Sequence, residues 1–380
     1  LSVFYLQPKH PEKQQYHNGV LLVPVFSMLN TIYKLKCEPM HRKDWFPMHR
    51  KNGLLPNENP FSPPKELLDL FMASIQNIQF NRYPDPDSQN LKIHIAKRLD
   101  IGTNRLVIGN GSDEIILLLL QIFCNEGDTI TLPDPTFAMY AIIAQGLGIK
   151  SINMPLDDHW DFNADELLKA AEENKSRIIF LGYPNNPTGN CFSESQIYKV
   201  IESFKGIVVI DEAYYDFSHK SFVAQIEKHN NVVILRSLSK IGLAALRVGF
   251  AIADPLIIDQ INKVRLPYNS NTVSQTLAEH LLTHFDPVQK QINSILEERH
   301  RLMLTLKKID SITIFPSDSN FFLLRTKQSV EKMFEYLMDH GILVRNLSSH
   351  PKLKNCLRVT VGTKDENDRF LAKMADFVKK

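Results

Sequence analysis

Two ionisable side chains, Asp211 and Lys240, each stand at the end of a short apolar run. The runs read G-I-V-V-I-D at 206–211 and V-V-I-L-R-S-L-S-K at 232–240. A carboxylate is costly to bury unless a cation meets it, and a lysine amine can form an imine with an aldehyde. A pyridoxal phosphate enzyme needs this combination, because the acid keeps the cofactor's ring nitrogen protonated while the lysine binds its aldehyde. Taken alone, the pair is ambiguous.

A second group of residues could bind a phosphate. The segment G-N-G-S-D-E at 109–114 follows a predicted strand and opens a very apolar predicted helix. Its glycines permit a tight turn, and free N–H groups at a helix start attract phosphate. An ordinary strand–helix turn with Ser112 as N-cap is equally compatible with the segment. The hydroxyls of Ser237 and Ser239 also suit a phosphate, and Arg247 is either a second phosphate clamp or a structural arginine.

The loop Y-P-N-N-P-T-G at 183–189 follows another predicted strand. Two prolines make it rigid, and ligands of open α/β sheets bind at the carboxyl ends of the strands. Asn186 could donate a hydrogen bond to an oxygen of an aromatic cofactor, and Tyr214 could donate to a phenolate oxygen. The alternative is a turn that only ends the strand.

Two arginines in the last third of the chain could bind anions. Arg345 follows the predicted strand 342–344, and Arg358 is the one charged residue in the predicted strand 357–361. A guanidinium inside an apolar strand needs an anion, and the carboxylate of an amino acid fits. The alternative is a structural ion pair with an acidic side chain.

The elements that must position these residues alternate along the chain. Short apolar runs alternate with helix-period segments between residues 105 and 253, which predicts a mostly parallel sheet covered by helices on both faces. After Pro267, two long helical segments and short strands predict a smaller α+β domain. We therefore expect an α/β protein with an N-terminal arm of uncertain structure (1–49), a small domain (50–80 and 268–380) and a large domain (81–267).

Composition excludes several classes of protein. With 43% hydrophobic and 23% charged residues, the 380-residue chain can form sizeable cores. A net charge of +2 gives no reason to expect a nucleic-acid or membrane partner. The most apolar N-terminal run, 20–29, contains Pro24 and is shorter than the roughly 20 residues of a membrane span. Four scattered cysteines without a C-x-x-C pair argue against a metal site and favour the cytoplasm.

Taken in order, the motifs resemble those of the fold type I pyridoxal phosphate-dependent aminotransferases of class II, and among these the histidinol-phosphate branch. The resemblance runs from about residue 55 to the C-terminus. It rests on P-N-E-N-P, R-Y-P-D-P-D, G-N-G-S-D-E, P-D-P-T-F-x-M-Y, P-N-N-P-T-G, D-E-A-Y, S-L-S-K, P-Y-N-x-N and C-L-R-V-T-V-G-T. G-N-G-S-D-E and C-L-R-V-T-V-G-T are typical of the histidinol-phosphate branch. The turn from Lys240 to Arg247 is one residue shorter than the commoner family spacing.

The resemblance implies pyridoxal phosphate as cofactor and assigns roles to residues of this chain. Lys240 would form the imine and move the proton between substrate Cα and cofactor C4′, and Asp211 would pair with the ring nitrogen. Asn186 and Tyr214 would bond the phenolic oxygen, and Phe137 would stack on the ring. The phosphate would be held by Ser112, Asp113, Ser237, Ser239 and Arg247, and by Tyr83 from the partner subunit of a homodimer.

The same resemblance implies the substrates. Arg358 would bind the carboxylate of glutamate or 2-oxoglutarate, Arg345 would bind the phosphate of histidinol phosphate, and Asn59 and Asn320 would be wall residues. The reaction would be a ping-pong transamination of histidine biosynthesis, in which glutamate donates the amino group and imidazole acetol phosphate accepts it. The alternatives are an aromatic or aspartate aminotransferase, a threonine-phosphate decarboxylase-like enzyme, or a non-catalytic regulator that binds the cofactor.

Overall fold

The computed structural model describes residues 57–379. The predicted N-terminal arm and the first seven positions of the predicted small domain, 50–56, lie outside the described residues. The division of the chain into a large and a small domain stays a prediction, and the two sheets below are the structural basis for it.

The larger sheet has seven strands and is mostly parallel. Its spatial order is β1-β7-β6-β5-β4-β2-β3, in which only β7 runs antiparallel to its neighbours. The strands are β1 (Leu106–Asn110), β2 (Thr129–Asp134), β3 (Lys150–Pro155), β4 (Ile178–Gly182), β5 (Ile207–Asp211), β6 (Val232–Ser237) and β7 (Val248–Ala253). This architecture confirms the predicted fold class.

Helices cover both faces of this sheet, as its continuous apolar strands require. In β4, Ile178 and Phe180 pack into the layer formed by α3, α4 and α8, whereas Ile179 and Leu181 pack into the layer that contains α2, α5, α6 and α9. The helices of the described chain are α1 (Lys65–Ile75), α2 (Gln89–Leu99), α3 (Ser112–Phe123), α4 (Met139–Gly146), α5 (Ala164–Glu173), α6 (Glu194–Ser203), α7 (Tyr215–Ser218), α8 (Pro255–Val264), α9 (Thr272–Thr283), α10 (Asp286–Leu306), α11 (Val330–Asp339) and α12 (Lys364–Val378).

The second sheet is antiparallel and has four strands. It contains β8 (Ile312–Ile314), β9 (Phe321–Thr326), β10 (Arg345–Asn346) and β11 (Cys356–Thr360) in the spatial order β10-β11-β9-β8. Strands β9 and β11 are almost entirely buried. Helix α12 contacts both α10 and α11, while α10 contacts β8 and α11 contacts β10. Helix α12 starts at a capping box formed by Thr363 and Glu366.

One predicted strand, 342–344, is wrong. Ile342, Leu343 and Val344 are all buried, but only Leu343 makes an isolated β-bridge and no ladder runs through the segment. The strand begins three residues later than predicted, at Arg345, which pairs in antiparallel register with Arg358. This shift matters, because it places the two arginines directly opposite each other. The sequence patterns also missed β8, α7, α8, α11 and α12.

Candidate active site

The candidate site lies at the carboxyl edge of the parallel strands. Asp211, the last residue of β5, is in register with Gly182 at the end of β4 and with Leu235 near the end of β6. The loop 183–189 and the segment that leads to Lys240 therefore leave the sheet beside Asp211. Ligands of open α/β sheets bind at this edge.

Asp211 is a buried acid whose polar contacts are neutral. The Tyr140 hydroxyl donates to Oδ2 over 2.7 Å, and the Ala213 N–H donates to Oδ1 over 3.0 Å. Burial raises the pKa of the carboxyl from 3.8 to about 6, with a smaller contribution from Asp113, while Lys240 and the two hydrogen bonds oppose the rise. Within residues 57–379, no basic side chain forms an ion pair with it. A cationic ring nitrogen would supply that missing charge.

A close approach of backbones forms the start of a candidate phosphate cradle. Gly249 of β7 lies opposite Gly109 on one side and Ser237 on the other. A Cβ at Gly249 would come within 2.4 Å of the Ser112 nitrogen, so only glycine permits this contact. The first N–H groups of α3 therefore lie close to Ser237, and no side chain caps them at Gly111, whose φ is +82°. Such N–H groups are a ready anion site.

Arg247 reaches the same cradle despite the shortened turn. Two short 3₁₀ turns, Leu238–Ile241 and Ala244–Leu246, connect Lys240 to Arg247, which adopts φ +53°. Its guanidinium lies 3.2 Å from the Asp113 carboxylate and packs directly against Gly111. The predicted phosphate residues Ser112, Asp113 and Arg247 are thus together at the start of α3.

Ser237 and Ser239 form the opposite wall of the cradle. The Ser237 hydroxyl donates to the Ser239 hydroxyl over 2.9 Å and accepts a hydrogen bond from the Ser239 N–H over 3.2 Å. Both residues are buried. Because a hydroxyl rotates to suit its partner, the pair can turn its protons toward an anion.

Lys240 is near Tyr214 and the segment that contains Asn57 and Asn59. The lysine Nζ lies 5.7 Å from the centroid of the Tyr214 ring. The Asn57 side-chain amide donates to the Tyr214 hydroxyl over 2.9 Å. Asn59 donates to the carbonyl of Ile241, the residue after the lysine, over 3.2 Å.

The two arginines of the small sheet border the same region. Arg358 donates from Nη1 to Asn186 Oδ1 over 2.7 Å, and its guanidinium lies 5.4 Å from the centroid of the Phe321 ring. Burial first, and then Arg345, lower the pKa of Arg358 to about 10, whereas Tyr214 acts in the opposite direction. Arg345 is exposed. A pair of guanidiniums on one strand pair favours a site for anions.

Three further predicted site residues, Phe137, Asn320 and Tyr83, lie around this cluster or apart from it. The half-buried Phe137 ring packs edge-on against Tyr140, with 5.4 Å between centroids. Asn320 is fully buried and donates to the Asn57 carbonyl over 3.0 Å, so it lies behind Tyr214. Tyr83 is 81% exposed and stacks on Tyr268, with 4.6 Å between centroids, and so stands apart from the cluster in this chain.

Tyr140 and Asn57 are site residues that the sequence analysis missed. Tyr140 lies in P-D-P-T-F-x-M-Y, three positions after Phe137, which puts it one helical turn away at the start of α4. Asn57 is the first asparagine of P-N-E-N-P and adopts φ +53°, a conformation that asparagine tolerates better than most residues. Both motifs are recognisable in the sequence, but only the structure shows which of their side chains point into the site.

The geometry fits an aromatic cation with a phosphate arm. Asp211 is a buried acid with no ion-pair partner among residues 57–379, the phosphate cradle beside Gly249 joins uncapped N–H groups to Arg247, and Lys240 stands near Tyr214. A pyridoxal phosphate ring and phosphate match these groups in charge and chemistry.

Comparison with known proteins agrees with a pyridoxal phosphate site. Residues 51–374 match the family model "Aminotransferase class I and II", so the chain belongs to this class of enzymes. It is 39% identical over 315 residues to the histidinol-phosphate aminotransferase of Vesicomyosocius okutanii, which is 83% of this chain and 88% of that protein. Within the class, the chain belongs to the histidinol-phosphate aminotransferase family.

Solved structures give the same picture. The histidinol-phosphate aminotransferase from Clostridium acetobutylicum is 25% identical, with a TM-score of 0.80, and the match covers 86% of this chain and 99% of that chain. The enzyme from Sinorhizobium meliloti in complex with pyridoxal-5'-phosphate also gives a TM-score of 0.80 at 20% identity, over 88% of this chain and 93% of that chain, and supports the fold. The predicted family, fold class and enzyme class, a pyridoxal phosphate-dependent transaminase, are confirmed. No helix within residues 57–379 has the length and apolar character that crossing a membrane requires.

Proposed function

We propose that this enzyme exchanges an amino group between histidinol phosphate and 2-oxoglutarate, with pyridoxal phosphate as cofactor, as a step of histidine biosynthesis. The observation that carries the proposal is the register of Arg345 opposite Arg358, next to Asn186. Each substrate bears an anionic group away from the reacting carbon, a phosphate in one case and a carboxylate in the other. Two cationic side chains on one strand pair suit such substrates.

Asp211, Asn186 and Tyr214 hold the cofactor ring in the proposed site. Pyridoxal phosphate, when bound, supplies the electron sink for the substrate's Cα and stores the amino group between the two half-reactions. Asp211 holds a proton on the ring nitrogen, because a buried carboxylate is stabilised by an adjacent cation. Asn186 and Tyr214 would donate to the phenolic oxygen, and Phe137 would stack on the ring.

The phosphate arm binds in the phosphate cradle formed by the start of α3, Ser237, Ser239 and Arg247. The N–H groups of Ser112 and Asp113 donate to phosphate oxygens at the start of α3, and the Ser237 and Ser239 hydroxyls donate from the opposite side. The Asp113 carboxylate orients the Arg247 guanidinium toward the same anion. Together these groups fix the ring in position, so that proton transfer occurs at one face.

Lys240 would remove the proton from the substrate's Cα and return it at C4′ of the cofactor, on the other side of the shared nitrogen, which is the proton shift that transfers the amino group. Arg358 orients glutamate or 2-oxoglutarate by a carboxylate, and Arg345 binds the phosphate of histidinol phosphate. Asn59 and Asn320 border this space and keep Lys240 and Tyr214 in place through Ile241 and Asn57.

The active enzyme is a homodimer in this proposal. Tyr83 is 81% exposed, and two apolar side chains on the same surface segments, Phe80 and Leu266, are 73% and 72% exposed. Large apolar groups of this kind are typical of an interface. Tyr83 would then donate to the phosphate bound in the partner subunit.

The cytoplasm is the compartment we propose for the enzyme. The three described cysteines are free, and burial raises the pKa of each thiol, to about 11 for Cys124. Buried neutral thiols are stable in a reducing compartment.

A substrate panel tests the reaction. Purified enzyme is mixed with histidinol phosphate, histidinol, phenylalanine, aspartate or O-phosphothreonine, and conversion of the bound cofactor is followed by its visible absorbance. We expect histidinol phosphate to react fastest and histidinol, which lacks only the phosphate, to react far more slowly. Faster conversion by phenylalanine or aspartate would overturn the assignment, and release of CO₂ from O-phosphothreonine would support a decarboxylase instead.

Variants test the roles of individual residues. Lys240→Ala should abolish turnover while cofactor still binds. Arg345→Gln should raise KM for histidinol phosphate by about 10- to 100-fold, since a hydrogen bond to a charged group contributes about 1.5–3 kcal/mol, and should leave KM for glutamate unchanged. Equal increases for both substrates would contradict the separate roles of Arg345 and Arg358.

Mixed dimers test the contribution of the partner subunit. Co-expression of a Lys240→Ala chain with a Tyr83→Phe chain gives one site that holds Lys240 from one chain and Tyr83 from the other. We expect this site to regain wild-type cofactor affinity and turnover. If the mixed dimer keeps the weaker affinity of Tyr83→Phe, then Tyr83 does not act across the interface.

A further inference from the structure

Asn57 joins the cofactor side of the site to the substrate side. Its Nδ2 donates to the Tyr214 hydroxyl over 2.9 Å, and its Oδ1 accepts from the Thr360 hydroxyl over 2.9 Å. Its own carbonyl accepts from the Asn320 side chain over 3.0 Å. The residue is 2% exposed, so water does not replace these bonds easily. Thr360 lies two residues after Arg358 in β11, and therefore on the same face of the strand.

These bonds fix the direction of one proton. A phenol has a single O–H to donate and accepts with its lone pairs. Because the Asn57 amide donates to the Tyr214 oxygen, the tyrosine proton must point elsewhere. In the structure, the Thr360 hydroxyl donates to Asn57 Oδ1, and Nδ2 is the amide atom that faces the tyrosine. The reverse orientation would draw the tyrosine proton toward Asn57.

The backbone of Asn57 is held as firmly as its side chain. It adopts φ +53°, which asparagine accepts at lower cost than most residues. The Asn320 amide holds the carbonyl from the other side. A residue that is fixed at three polar atoms in a buried place is suited to orient a neighbour.

We propose that Asn57 is a positioning residue that directs the Tyr214 proton toward the phenolic oxygen of the bound cofactor and links this donor to strand β11. The inference rests on the proposed use of pyridoxal phosphate and does not depend on which amine is the substrate. A hydrogen bond to the phenolic oxygen stabilises its negative charge and so weakens its hold on the neighbouring proton at the lysine nitrogen. Misdirecting the Tyr214 proton should therefore raise the pH at which the cofactor's visible absorbance changes.

The test is a pH titration of that absorbance, without substrate, for wild type, N57D, N57A, T360V and Y214F. The carboxylate of N57D has the shape of the amide but only accepts, so it should capture the Tyr214 proton and raise the midpoint by about one pH unit, the equivalent of one hydrogen bond to a charged group. N57A and T360V should give smaller rises in the same direction. Far-UV circular dichroism and the melting temperature of each cofactor-free variant show that it is folded.

Y214F provides the matched control. If Asn57 acts through the Tyr214 proton, N57D should produce little further rise in the Y214F background, because the misdirected proton is already absent. If N57D raises the titration midpoint equally in the wild-type and Y214F backgrounds, the new charge acts directly and the proposal is overturned. An unchanged midpoint in folded N57D would also overturn it. If wild type shows no cofactor absorbance at all, the proposed function fails with it. If the spectra behave as expected but histidinol phosphate does not react, only the substrate assignment fails.

Discussion

The carboxyl group of Asp211 should make the stability of the cofactor-free protein depend on pH. Burial is the main reason that its pKa rises from 3.8 to about 6, against hydrogen bonds from Tyr140 and Ala213. An acid with a higher pKa in the folded chain binds protons more tightly there than in the unfolded chain. Its contribution to the free energy of unfolding is therefore fully present below the unfolded pKa and is lost as the pH rises through about 6. At about 1.4 kcal/mol per pH unit, this contribution is ~3 kcal/mol.

Denaturant unfolding of the cofactor-free wild type and D211N tests this expectation. Asparagine keeps the shape and the acceptor for Tyr140 but does not titrate, so other ionisable groups cancel in the comparison. The unfolding free energy of wild type relative to D211N should fall by ~3 kcal/mol between about pH 4 and about pH 7. Pyridoxal phosphate should recover stability in wild type more than in D211N at neutral pH, since the ring nitrogen supplies a cation. Parallel stability curves for the two cofactor-free proteins would refute the reasoning.

Two further substitutions test the packing that supports the site. Gly249→Ala places a Cβ 2.4 Å from the Ser112 nitrogen, so the two backbones must separate. We expect the free energy of unfolding to fall by ~1–3 kcal/mol and the cofactor to bind more weakly. A variant with the wild-type melting temperature and cofactor affinity would contradict this expectation. Arg236→Met leaves the Glu212 carboxylate, 2.8 Å from Arg236 and 1% exposed, buried without its cation. The free energy of unfolding of Arg236→Met, measured by denaturant, should fall by ~3–5 kcal/mol. The double variant E212Q/R236M should recover much of this stability, because it has no buried charge. Equal losses in the two variants would show that the buried charge is not the cause.

The large sheet was predictable because its elements follow local rules. Helix α3 (Ser112–Phe123) follows G-N-G-S-D-E, and strand β7 (Val248–Ala253) ends where the predicted alternation of strands and helices ends. An apolar segment of helical length after G-N-G-S-D-E predicts a helix, and a six-residue apolar run predicts a buried strand. The placement of Asp211 and Lys240 at neighbouring strand ends followed from the same pattern. Polar residues at the carboxyl ends of buried parallel strands are a strong indication of a site.

The small sheet was harder to predict, because tertiary packing sets its register. Ile342, Leu343 and Val344 look like a strand by composition, yet the ladder begins only at Arg345. No local pattern contains the register that pairs Arg345 with Arg358. The sequence indicated two anion-binding arginines, and only the structure shows that they are neighbours.

The missed contacts have a common cause, which is that each joins segments far apart in the chain. Tyr140 and Asp211 are 71 positions apart, Asn57 and Tyr214 are 157 apart, and Asn57 and Thr360 are 303 apart. Motifs identify residues that meet a ligand, since ligand chemistry limits the residue type at each position. The type of a residue that orients those groups is limited instead by the direction of a single hydrogen bond. Spacing along the sequence does not encode that direction. A buried asparagine at positive φ inside a recognisable motif is the kind of residue in which such an orienting role should be sought first.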